Sequence, residues 1–171
     1  MQYQTIASNP FGVLTAVVAP AILTNASSVL ALGTSNRLAR VVDRTRIVAS
    51  HLAGLEPGHP EYAGWAAQLG ALQVRAQLLL KALRGFYAGL GLFAASALVS
   101  VGGSIAAYYN QKAAFELAAA IAILTGASAV IGLVLGCILM VRETQLAVRT
   151  LAEEAKIHVG SALPKSQTVK A

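Results

Sequence analysis

Three long stretches without a charged side chain constrain the fold of this chain more than any other feature. Residues 1–36, 85–111 and 117–141 contain no Asp, Glu, Lys or Arg, and the apolar part of the first runs from about Phe11 to Leu32. Each stretch exceeds the roughly 20 helical residues that cross about 30 Å of hydrocarbon. Because none shows the alternation of barrel strands, the pattern predicts three transmembrane helices. The first stretch lacks the basic start of a signal peptide, so we expect it to be retained as a span.

Composition and charge distribution support a membrane protein with one basic side. The chain is 56% hydrophobic and 12% charged, against about 25% charged for soluble domains. Seven Lys and Arg residues lie between the first and second stretches and five follow the third, whereas the second loop has only Lys112. The positive-inside rule therefore predicts an outside N-terminus and a cytoplasmic middle loop and C-terminus.

The cytoplasmic segments have the periodicity of amphipathic helices. Apolar residues recur every three to four positions before and after the turn signal at residues 56–62, EPGHPEY, which predicts a helical hairpin. The fold class is thus an all-α integral membrane protein, with three transmembrane helices extended into a cytoplasmic helical hairpin plus C-terminal helix bundle. The predicted segments are an N-terminal segment and transmembrane helix 1 (1–35), the hairpin (36–84), transmembrane helices 2 and 3 (85–141), a C-terminal helix (142–160) and a disordered tail (161–171).

Polar side chains follow one face of the first span. Thr24, Ser28 and Ser35 fall within about 40° of one another on a helical wheel, with Ser27, Thr34 and Pro20 beside them and Asn25 at the other edge. They could pack against the other spans, with hydroxyls bonded to backbone carbonyls, or line a water-filled path. Three helices are too few to enclose a pore, so the second interpretation needs several subunits. Pro20 is a candidate hinge, because it removes a backbone hydrogen bond.

Spans two and three carry small residues at helical spacing, which predicts close helix packing in lipid. These residues are Gly89, Ser96, Ser100, Gly103 and Ala107 in span two, and Ala118, Ala122, Thr125, Ala129, Gly132 and Gly136 in span three. The single cysteine, Cys137, is expected to be a packing residue.

Arginines follow the polar face directly. Arg37, Arg40 and Arg44 suit anionic lipid headgroups. In an antiparallel hairpin Arg75 falls opposite the segment from Arg40 to Asp43, which suggests an ion network that ties the two arms together. Under the pore interpretation, rings of Arg40 or Arg46 at the cytoplasmic mouth would favour anions.

The run APAILTNASSVLALGTSNRLARVVDRTR resembles a family of small bacterial membrane proteins known as domain of unknown function 2721. The resemblance depends on Ala19-Pro20-Ala21 and, more, on Asn36-Arg37-Leu38, Arg40-Val41 and Asp43-Arg44. With the three-span layout it extends over about residues 10 to 155. It implies a bacterial inner-membrane protein and no particular activity.

The sequence favours a homo-oligomeric ion channel or pore over an enzyme. His51 and His59 have no metal-ligand spacing, and His158 forms only a weak i,i+4 metal pair with Glu154, which is more often a surface ion pair. No span contains an acid or histidine, and there is no catalytic or cofactor motif. We therefore expect no catalytic residue, no metal, no cofactor and no nucleic-acid partner; the expected partners are anionic lipids, other copies of the chain and an ion. The alternative is a non-conducting accessory protein whose cytoplasmic bundle binds a partner.

Overall fold

Three long α-helices make up the computed structural model, which describes the backbone of residues 10–162 and the side chains of Val18 and of residues 21–152. The helices are α1 (Pro10–Ala53), α2 (Tyr62–Tyr108) and α3 (Lys112–Ala162), and no strand occurs among the described residues. The predicted all-α class is confirmed. Each helix is about 65–77 Å long at 1.5 Å per residue, roughly twice the hydrocarbon thickness of a bilayer. Of the predicted tail, residues 161 and 162 are helical, and the rest lies outside the described residues.

The first two helices run antiparallel to each other. The rings of His51 and Trp65 lie 4.3 Å apart near the ends joined by the first turn. Further along, Ala31 of α1 is buried in one cluster with Phe86 of α2. Between these two points a second buried cluster contains Val41, Val48, Leu72 and Leu79. The predicted apolar periodicity of this segment therefore becomes a continuous contact between α1 and α2.

Glycines bring α2 and α3 close together on the other side of α2. A Cβ atom added to Gly85 would lie 3.1 Å from the carbonyl oxygen of Gly132, and one added to Gly136 would lie 2.5 Å from the ring of Phe86. Ser96 donates a 2.8 Å hydrogen bond from Oγ to the Ala122 carbonyl across the same interface. Close packing is confirmed for the small residues that are buried here: Gly89, Ser96, Gly103, Ala129 and Gly136. Cys137 also packs against a buried cluster, as predicted.

Two of the helices are long and apolar enough to cross a membrane: α2, and α3 over Lys112–Ala152. Only 17% and 11% of the residues in their most apolar 18-residue segments are buried. The core helix of a soluble protein would bury most of such a segment. Large exposed apolar side chains cover both helices instead, among them Leu98, Ile105, Ile123, Leu124, Ile131 and Leu135. This surface suits contact with lipid.

A three-residue turn joins α2 to α3. Asn110 has a positive φ of 57°, and its N–H donates to the Ala107 carbonyl while the Gln111 N–H donates to the Ala106 carbonyl, both at 3.0 Å. This pair of bonds is a Schellman motif with Asn in the left-handed position that glycine more often occupies. The turn reverses the chain at once, so α3 starts beside the end of α2.

Candidate functional site

The polar residues of α1 divide into a buried set and an outward set. Ser27 and Thr34 are 0% and 1% exposed. Thr34 donates from Oγ1 to the Leu30 carbonyl at 2.7 Å and lies 3.4 Å from the sulfur of Met140 on α3. Ser27 is fully buried, and its Oγ makes no hydrogen bond within the described structure. These two residues belong to the packing of the three helices.

The outward set contains the predicted pore-lining residues. Asn25 and Ser28 are exposed, and Thr24 and Ser35 are half-buried. Ser28 and Ser35 each follow a buried residue of the first set, so they are rotated by about 100° around the helix away from the packed edge. Ser28 donates from Oγ to the Thr24 carbonyl at 3.0 Å, which satisfies its hydroxyl proton within the helix. The structure therefore keeps these four residues together on a side of α1 that is only partly covered.

The candidate hinge, Pro20, lies in the first half of α1. The backbone of α1 is helical through Pro20. The Pro20 side chain lies outside the described side chains, so the hinge stays a prediction.

Arg75 has a different partner from the one that the sequence suggested. Asp43 lies 3.9 Å from Arg46, three residues along α1, and both side chains are exposed. Such surface pairs contribute at most about 1 kcal/mol. Arg40 is exposed as well. Arg75 binds Glu143 on α3 instead, because α3 packs on α2 at this level and offers a buried carboxylate.

Glu143 is the centre of an ion cluster that joins all three helices. It is 3% exposed. Nε and Nη2 of Arg75 each lie 2.9 Å from Oε1 of Glu143. Nη1 of Arg37 on α1 lies 3.9 Å from Oε2 and donates to Oγ1 of Thr144 at 3.3 Å. A buried charge needs such partners, since an unpaired carboxylate would cost several kcal/mol.

Sequence reasoning missed Glu143, although a signal was present. It is the first acidic residue after the third uncharged stretch, next to Arg142. A carboxylate two residues beyond the end of a span favours a basic partner on a neighbouring helix. The sequence offered Arg37 directly after the first uncharged stretch, but Arg75 lies ten residues before the second, with Lys81 and Arg84 closer to it.

A groove opens beside this cluster, because α1 and α3 both pack on α2 and make few contacts with each other. Its volume is about 220 Å³, and its lining comes from all three helices: Arg44, Gln68, Ala71, Leu72, Arg75, Ala147, Thr150 and Leu151. Arg44 and Arg75 are the charged residues in this lining. The described residues contain no group of three or more His, Cys, Asp or Glu side chains that could hold a metal ion.

Comparison with known proteins places most of the chain in one family. The sequence model for "Protein of unknown function (DUF2721)" matches residues 17–153. No curated protein and no solved structure matches the chain. The match includes all the residues of the ion cluster, the outward polar face and the groove.

Proposed function

The chain belongs to the DUF2721 family, and we propose that it is a homo-oligomeric membrane protein that forms an ion pore lined by α1. Thr24, Asn25, Ser28 and Ser35 face the axis in this arrangement. The observation that carries the proposal is the exposure of Asn25 and Ser28 on the part of α1 where the neighbouring polar residues Ser27 and Thr34 are buried. An amide in hydrocarbon is costly without a polar partner. Other copies of α1, or water between them, would provide one.

The depth of these residues supports the proposal. Exposed tyrosines mark both ends of the apolar part of α2, at Tyr87 and Tyr108. They are separated by about 32 Å of helix, the thickness of a hydrocarbon core, and tyrosine is enriched at both membrane interfaces. Ala31 packs in one cluster with Phe86, so Asn25 lies about 9 Å deeper along α1. The amide is then well inside the hydrocarbon.

The same depth argument supports α1 as a third span. Its apolar part ends near Leu32, at the level where Ala31 packs against α2. The residues of α1 that precede Ala31 extend alongside the part of α2 that lies between Tyr87 and Tyr108. Four polar side chains on one face suit a helix that meets water and other copies on that face, with lipid on its remaining surface.

The charges support a multi-pass topology with a cytoplasmic bundle. Contacts of Arg37 and Arg75 with Glu143 bring the basic parts of all three helices to one end. Lys112 lies at the other end, where α3 begins. By the positive-inside rule the basic end is cytoplasmic and the N-terminus is outside the inner membrane. Arg37, Arg40 and Arg44, all exposed on α1 at this end, suit anionic lipid headgroups.

The cytoplasmic mouth of the pore would be basic. Arg40 and Arg46 are exposed on the part of α1 that continues beyond the apolar segment. Rings of these residues around an axis favour the entry of anions over cations. The permeant ion of the proposed pore is therefore an anion.

The experiment that tests the pore compares two substitutions to leucine on α1. The full-length protein is reconstituted into planar bilayers, and single-channel current is recorded for Ser28→Leu and Ala26→Leu. Both positions are exposed, but Ala26 lies on the opposite arc of the helix. We expect Ser28→Leu to reduce or abolish conductance and Ala26→Leu to preserve it. Equal effects of the two variants, or no current from the wild type, would reject α1 as the pore lining.

A second candidate function is that of an accessory protein whose cytoplasmic bundle binds a partner. The observation in its favour is that large apolar side chains are exposed beyond the membrane-depth segments, including Ile47, Val74, Val148 and Leu151. These residues come from all three helices, and a contiguous apolar patch among them would mark an interaction site. Under this alternative Ile47→Glu and Val148→Glu would abolish cross-linking to a partner, and no variant would carry current.

A further inference from the structure

We propose that the groove between α1 and α3 is a binding site for a phosphate-bearing anion, held by Arg44 and Arg75. These two arginines come from different helices and line the same groove. None of the residues that line it is acidic. A site with this lining would attract an anion and offer guanidinium donors from two directions.

The charges around the groove do not cancel. Arg37 and Arg75 share the single carboxylate of Glu143. Arg44 has no acidic partner within 4.0 Å among the side chains that the structure describes. Of the two arginines in the lining, Arg75 is paired with Glu143 and Arg44 is uncompensated, and the four groups Arg37, Arg44, Arg75 and Glu143 together carry a net charge of +2. A phosphate group carries about one to two negative charges at neutral pH.

Glu143 positions the arginine that would bind the anion. The guanidinium of Arg75 has five N–H groups, and its contacts with Glu143 involve only Nε and Nη2. The remaining donors keep a fixed orientation, because the carboxylate that holds the group is buried. Arg44 is exposed and has the freedom to close on the ligand from α1. A donor fixed in advance loses less entropy when the anion binds.

The walls and the location of the groove narrow the ligand class further. Apolar side chains of Ala71, Leu72, Ala147 and Leu151 form much of the lining, so an organic phosphate fits better than a free inorganic ion. The groove begins next to Glu143, two residues beyond the end of the apolar segment of α3 at Val141. The α2 side of the groove, from Gln68 to Arg75, begins 12 residues before Tyr87, or about 18 Å of helix beyond the tyrosine that marks the end of the apolar part of α2. A water-soluble phosphate ester therefore reaches it more readily than a lipid headgroup. Binding there uses none of the residues assigned to the pore lining, so it can be measured without a flux assay.

The test uses the full-length protein in phosphatidylcholine nanodiscs. One arm titrates adenosine diphosphate as a soluble phosphate ester and measures affinity by calorimetry. The other arm replaces part of the lipid with phosphatidylglycerol and counts retained lipids by native mass spectrometry. The variants are Arg44→Gln, which removes one charge, and Ala147→Phe, which fills the groove and keeps both arginines. Arg84→Gln is the matched control, since Arg84 is an exposed arginine of α2 outside the groove.

We expect one probe to bind and both groove variants to weaken that binding by tenfold or more, with Arg84→Gln within twofold of the wild type. Preference for adenosine diphosphate identifies a soluble ligand, and preference for phosphatidylglycerol identifies a lipid. Equal losses in Arg44→Gln and Arg84→Gln would mean that general positive charge attracts the anion, and would overturn the site. Failure of both probes to bind the wild type would overturn it as well. Circular dichroism of each variant confirms that the helices are intact.

Discussion

Arg75 of α2 places both Nε and Nη2 at 2.9 Å from a single oxygen of Glu143 on α3. The carboxylate is almost fully buried, and its other oxygen lies 3.9 Å from Arg37 of α1. Since α1 and α3 otherwise meet at few points, this cluster is the main polar link between them. It fixes the relative height of the three helices just beyond the apolar segments of α1 and α3.

Replacing Glu143 with Gln is expected to destabilise the protein by about 2–3 kcal/mol. Removing one partner of a fully buried ion pair costs about 3–5 kcal/mol, and the cost is lower here because Arg37 is exposed and Arg75 partly so. The free energy of unfolding is measured in mixed micelles with an increasing fraction of dodecyl sulfate. Asp43→Asn is the control, since it breaks an exposed pair with Arg46 and should cost less than about 1 kcal/mol. Similar losses for the two variants would show that the cluster contributes no more than a surface pair.

Gly136→Ala is expected to destabilise the contact between α2 and α3 by about 1–3 kcal/mol, the usual cost of overpacking a core. The added methyl group would lie 2.5 Å from the Phe86 ring, and Phe86 is fully buried and has no room to move. Gly91→Ala provides the comparison, because nothing lies within 4 Å of its added Cβ. That substitution should be neutral or stabilise the helix by up to about 1 kcal/mol. The free energy of unfolding of both variants is measured in the same mixed micelles. An unchanged free energy for Gly136→Ala would contradict the close packing.

The turn between α2 and α3 depends on the left-handed backbone of Asn110. We expect Asn110→Gly to change the free energy of unfolding by less than about 0.5 kcal/mol, because glycine adopts a positive φ without strain. A β-branched side chain in this conformation is strained, so Asn110→Val should cost about 1–2 kcal/mol. Gln111→Val is the neighbouring control, since its φ is not positive. Equal effects of the two valine substitutions would show that the backbone conformation is not what matters at Asn110.

Asn25→Leu is expected to weaken self-association by about 1–2 kcal/mol, or roughly tenfold in the dissociation constant, because interhelical amide bonds in lipid contribute about this much. Energy transfer between labelled copies, measured against the protein-to-lipid ratio, gives the association constant. The matched control is Asn36→Leu, the same change at an exposed position nearer the cytoplasmic end of α1, where water competes for the amide. Association that survives Asn25→Leu unchanged would place Asn25 outside the contact between copies.

The helices could be predicted from the sequence because their signals are local. Uncharged stretches, the turn at residues 56–62 and the periodic apolar positions depend on neighbours along the chain. The ridge that contains Gly89 and Gly136 was likewise visible, because small residues at helical spacing have few uses other than close packing. These features needed no knowledge of how the helices are arranged in space.

The ion cluster could not be predicted in the same way, because it depends on helix order in space and on rotation. Hairpin geometry alone placed Arg75 opposite Asp43, but α2 lies between α1 and α3 and turns Arg75 towards Glu143. The rotation of α1 about its own axis also divides its polar face into a buried edge and an exposed edge. Ser27 and Thr34 are buried, whereas Asn25 and Ser28 remain exposed. A helical wheel shows which residues are neighbours, but it does not show which edge another helix covers.

The subunit count tests the central claim, that copies of α1 enclose a pore, most directly. Native mass spectrometry of the detergent-purified protein with lipids retained gives this number without assuming any ion. We expect a single closed ring of about four to six copies, since identical subunits around one axis form cyclic assemblies. A monomer would contradict the account, because three helices cannot enclose a pore.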